Sequence, residues 1–189
     1  SDTNIARLDN GTTVITKPSS WNRIVAIAVT VEAGSKYDPP GLSGLAELTS
    51  QLLIQGSADM SAMELAELAD SHGISMDTYA SVDYAGFHIA CIDEHIDTAL
   101  EIAAGLLTSP AFEEARLLRA QEDLLRRIDT NNNEASVRNR EALFELMFGD
   151  HPYSRPTYGT AESVENITTG HVRKFHRSRY TGGRTVISI

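Results

Sequence analysis

The chain has 189 residues, 41% of them hydrophobic, and a formal charge of -10 from 26 acidic and 16 basic side chains. That length suits one large core better than two small ones. The acidity argues against nucleic acid as a partner, because a duplex-binding face needs clustered lysines and arginines to displace counterions; it favours solubility and, through the mean field, basic peptides.

Cys91 is the sole cysteine, so no disulfide can form within the chain and the redox compartment stays open. A small buried strand residue is the simplest reading of it. No run approaches the ~20 apolar residues of a membrane span, and the opening SDTNIARLDNG lacks an apolar signal-type region. A trimmed start would give the same picture, so the compartment is left open, with cytoplasm placed ahead of periplasm or organelle.

In chain order, Asn10-Gly11 between IARLD and TTVITK reads as a hairpin. The run Ile24 to Val31 is apolar on both faces and small on one, as expected of an inner strand closely covered by a helix. Trp21 before it reads as a packing residue at the sheet margin. After Asp38-Pro39-Pro40, the stretch Gly41 to Ser57 reads as a helix whose Leu42, Leu45, Leu48, Leu52 and Leu53 form one buried stripe.

Ser61 and Glu64 match a capping box, which starts a second helix that stops near His72-Gly73. Alternation from Ile74 to Ile92 predicts an antiparallel strand pair turning near Val82-Asp83. Asp93 opens a helix carrying Ile96, Leu100, Ala103 and Leu107, which Ser109-Pro110 ends. A long helix from about Phe112 presents Leu117, Leu118, Leu124, Leu125 and Ile128, and Thr130 to Asn133 is expected to break or kink it. Ala135 to Phe148 forms another, with Val137, Leu143, Leu146 and Met147 inward. Gly149 to Thr160 is a loop, a last helix holds Val172 and Phe175, and RTVISI from Arg184 returns to the sheet.

On the first long helix, Gly44, Glu47 and Leu48 are spaced i, i+3, i+4, which is the spacing H-x-x-E-H uses to hold zinc between two imidazoles and activate water with a carboxylate. With EAGSKYDPPG before it, GISMDTYASVDYAGFHIACI and SPAFEEARLLRAQEDLLRRID after it, and HPYSRPTYGT near 151, the series from Ile5 onward resembles the N-terminal domain of the pitrilysin-like and mitochondrial-processing-like (M16) metallopeptidases.

The resemblance implies an α+β fold, a mostly antiparallel sheet packed with helices, over a single domain 1-189 that belongs to a longer chain with a second similar domain. It also implies that active members enclose peptides between two halves. Members without the zinc motif serve as the non-catalytic half or subunit beside a zinc-bearing one. In this overlay Gly44 and Leu48 stand at the two imidazole positions, and only Glu47 remains, as a vestige. In the segment where the family supplies a third ligand from glutamate, the chain has Arg126 and Arg127. No metal, cofactor or catalytic residue is therefore expected, since glycine and leucine offer no donor and arginine adds positive charge.

Glu47 has two readings: an ion pair with Arg126 or Arg127, or one wall of a cleft that holds peptide without cutting it. No H-x-x-x-H pair occurs among the six histidines, and His171 and His176 lie five apart, off the one-turn spacing. Two other functions stay open beside the pseudo-peptidase: a scaffold resembling the core subunits of the cytochrome bc1 complex, and a hydrolase with an unrecognised site.

Overall fold

The computed structural model describes residues 2-19 and 21-189. The Asn10-Gly11 turn closes β1 (Asn4–Arg7) onto β2 (Thr13–Thr16), as an antiparallel hairpin. The apolar run is β3 (Ile24–Val31), the alternating segments are β4 (Ser75–Ala80) and β5 (Ala85–Ile92), and RTVISI supplies β6 (Thr185–Ser188). Together they form one six-stranded sheet in the order β1-β2-β6-β3-β5-β4. Its neighbours are antiparallel except β2 and β6, which run parallel.

Against one face of this sheet lie α1 (Leu45–Leu53) and α3 (Ile96–Thr108). The core is where Leu45, Leu48, Leu52 and Leu53 of α1 meet Ile27, Val29, Val31, Phe87 and Ile89 of the inner strands, each at most 1% exposed. Each such side chain contributes about 1.5–3 kcal/mol on burial. The other face behaves differently from the sequence expectation. Among the described residues no helix covers its cross-strand pairs Ile24↔Ile92, Ala26↔Ala90 and Ala28↔His88, and Ile24 stays 64% exposed. Small residues on β3 thus mark a flat open face rather than a close helix approach.

The start of α1 is delayed by four residues relative to the sequence reading. Gly44 takes φ +95°, a left-handed conformation, and has no side chain with which to cap. Asp38 caps from a distance: its two carboxylate oxygens accept the Gly44 N–H at 2.8 Å and the Ala46 N–H at 2.9 Å. The second helix, α2 (Ala62–His72), has the expected box, with Ser61 and Glu64 satisfying each other's backbone N–H and Gly73 ending it at φ +60°.

Next come α4 (Glu114–Asn133), α5 (Ala135–Phe148), the short α6 (Ala161–Glu165), which Thr160 caps and which falls between the expected loop and the last helix, and α7 (Thr169–Arg179). The expected break at Thr130 to Asn133 does not occur there. Thr130 Oγ1 donates back to Arg126 O at 3.0 Å and Asn133 Nδ2 to Asp129 O at 2.9 Å, so these residues bond within the helix, and the break falls on extended Glu134. Three more assignments are corrected. On α5 only Val137 is buried, while Leu143, Leu146 and Met147 are 52%, 86% and 63% exposed. Leu118 of α4 is likewise exposed, and Trp21 stands 94% in solvent instead of packing at the sheet margin.

Candidate functional site

Helix α1 is buried along most of its length, and Glu47 in its first turn is only 9% exposed. A carboxylate so placed needs partners, because desolvation without them is costly. Two supply them through one oxygen: Arg127 Nη1 of α4 donates to Glu47 Oε1 at 2.9 Å, and Gln51 Nε2, one turn along α1, donates to the same atom at 3.0 Å. The Arg127 guanidinium also lies 5.5 Å from the centre of the Tyr158 ring. The Tyr158 hydroxyl donates to Glu141 of α5, and burial, reinforced by that bond, pushes the phenol pKa up. So one ion pair ties α1, α4 and the loop before α6 together.

Neighbouring polar groups hold the frame. Ser50 Oγ donates to Tyr79 O at 2.8 Å and Gly86 O at 3.1 Å, which fixes α1 to β4 and β5. Buried Gln121 of α4 donates through Nε2 to Val164 O at 2.6 Å and Ile167 O at 3.0 Å. Gly159 lies so close to the loop before α1 that an added Cβ would stand 2.1 Å from Ser43 O.

The residues singled out from sequence fall in different places. Gly44 precedes α1, and Leu48 is fully buried in the core, so neither faces Arg127. Arg126 pairs along its own helix with Asp123 and is largely exposed. Only Glu47 and Arg127 meet. Ser50 and Gln51 were not singled out, although the signal was present: counted forward from Glu47, the i, i+3, i+4 spacing lands on them. His171 and His176 do not converge either, since His171 sits in the α7 capping box with Thr168 and His176 Nε2 lies 3.0 Å from Leu107 O.

This donor set does not fit a divalent cation. Glu47 is the one anionic oxygen donor, its Oε1 is already engaged twice, and Arg127 fixes a positive charge beside it. Among the described residues no three His, Cys, Asp or Glu side chains gather to hold a metal ion, and no helix is long and apolar enough to cross a membrane.

The profile of Insulinase (Peptidase family M16) matches residues 13–161. An uncharacterized zinc protease of Rickettsia bellii is 26% identical over 186 residues, which cover 98% of this chain and 45% of that protein. A probable mitochondrial-processing peptidase subunit beta of Arabidopsis thaliana is 24% identical over 187 residues, 99% of this chain and 35% of that one. The structure of a peptidase M16 inactive domain from Pseudomonas fluorescens superposes with a TM-score of 0.93 at 22% identity, covering 99% of this chain and 46% of its own. The chain thus spans less than half the length of these relatives. With a matching profile across most of its residues and the α+β fold of the M16 domain, the chain belongs to peptidase family M16, the insulinase-like peptidases.

Proposed function

We propose that this chain is a catalytically silent half of an M16 peptide-binding chamber, working beside a zinc-bearing subunit or a second similar domain. The observation that carries this reading is the Arg127–Glu47–Gln51 cluster, in which a guanidinium and an amide converge on the carboxylate at 2.9 and 3.0 Å. In this reading the motif is counted from Glu47: Glu47 and Gln51 stand at the imidazole positions, Ser50 at the general base and Arg127 at the third ligand. An ion pair then does mechanically what a metal would do, bridging α1 to α4, while supplying neither a Lewis acid nor an activated water. A structural neighbour described as an inactive M16 domain supports it.

Mixing tests it. Combined with a chain bearing an intact H-x-x-E-H from the adjacent reading frame, peptidolysis is expected to require both proteins. Full activity of the zinc-bearing chain by itself would refute the proposal.

A further inference from the structure

Beside the Glu47 cluster a groove of about 360 Å³ runs between α1, α4 and the edge strand β4. Its walls include Gln51 and Gln55 of α1, Thr78 of β4, and Arg116, Arg119 and Asp123 of α4. Gln51 belongs to both places, so groove and cluster are continuous.

The charges here run against the molecule as a whole. On α4, Arg116 and Arg119 are three apart, and Arg126 and Arg127 follow two to three turns later on the same side, at helical spacing. Asp123 is taken up by Arg126, and Glu47 by Arg127. Among the described residues no carboxylate lies within ion-pair distance of Arg116 or Arg119. A protein of charge -10 therefore keeps two uncommitted guanidiniums over one polar groove, at the edge of a sheet. Arg116 is also half-buried, which strengthens its attraction for an anion relative to a fully solvated side chain.

We infer that this groove is an anion-selective subsite for peptides, taking the side-chain carboxylate of a glutamate or aspartate between Arg116 and Arg119. The local field thereby reverses the preference for basic peptides that the net charge suggests. The inference rests on the peptide-holding part of the function proposed above and names the class of peptide held.

Fluorescence anisotropy on the native full-length chain tests it, with three labelled octapeptides that differ only in carrying three glutamates, three glutamines or three lysines. The glutamate peptide is expected to bind at least about tenfold tighter than the glutamine one, with the ratio shrinking as salt rises. Arg116→Gln with Arg119→Gln is expected to bring that ratio close to one and leave the glutamine peptide's affinity unchanged. Arg7→Gln with Arg177→Gln, the same charge change elsewhere, is expected to preserve it.

Tighter binding of the lysine peptide, equal binding of glutamate and glutamine peptides by the unmutated chain, or a ratio unmoved by the Arg116/Arg119 change would each overturn the subsite. The two readings fail separately. A glutamate preference that persists where the mixing assay shows no dependence on this chain removes the chamber but not the subsite, and dependence without the preference removes the subsite alone.

Discussion

Removing Arg127 should cost more than removing Glu47. The Glu47 side chain is 11% exposed and Arg127 50% exposed, so the pair lies between the surface and buried limits. Exposed pairs couple by roughly 0.2–1 kcal/mol, whereas stripping a partner from a buried charge costs about 3–5 kcal/mol. Arg127→Ala leaves a mostly buried carboxylate with the Gln51 amide as its remaining partner, which puts the loss at about 2 kcal/mol. Glu47→Ala leaves a guanidinium that can turn to water over Tyr158, so its loss should stay near about 1 kcal/mol. The assay is a double-mutant cycle read by urea unfolding, with unchanged m-values as the control for compactness. A coupling of about 1 kcal/mol is expected. Coupling within about 0.3 kcal/mol of zero, or the reverse order of the two single losses, would refute the claim that this pair holds α1 to α4.

The forward count of the motif has its own test. Glu47→His, Gln51→His and Arg127→Glu together are expected to create one zinc site measurable by equilibrium dialysis, whereas Gly44→His with Leu48→His should unfold the chain, since Leu48 is fully buried; a triple variant with no zinc affinity would reject this alignment. Burial pushes the Asp38 carboxyl from 3.8 up to about 7, against the pull of the Ala46 and Gly44 N–H groups and Arg155. Between those values the folded chain keeps a proton that the unfolded chain has released, so stability falls as pH rises through this window, by at most about 4 kcal/mol. Urea midpoints followed across that range should fall more steeply for the unmutated chain than for Asp38→Asn, and identical slopes would dismiss the effect. Gly159→Ala sets a Cβ against Ser43 O at φ +74° and is expected to lower stability by about 2 kcal/mol or more; an unchanged melt would show that the loop yields freely.

What was legible in the sequence was local. The Ser61–Glu64 box, the Asn10-Gly11 hairpin and the alternation of β5 are set by residues a few positions apart, and all three occur in the fold. Facing was harder to read. The stripe Leu143, Leu146, Met147 has helical spacing but nothing lies over it, and the small face of β3 looks the same in sequence whether a helix or water covers it. Capping at a distance was also hidden, because Asp38 acts on a helix seven residues further on. At the site, the sequence offered Arg126 and Arg127 as partners for Glu47 and only the turn of α4 chooses between them. A glycine in the left-handed region at 44 is what moves the helix start, while the i, i+3, i+4 spacing is what sets Glu47, Ser50 and Gln51 on one side.

The position of β6 has a consequence for how such a molecule is made. Among the described residues the hairpin β1–β2 joins the remainder of the sheet through β6, far later in the sequence. Until β6 is in place, one backbone edge of Ala28 to Val31 in β3 stays unpaired, a sticky border of the kind that chaperones shield. Insertion of residues 185 to 188 seals that border and recruits the hairpin in one event, so the slowest step in folding this domain should be β6 finding its slot.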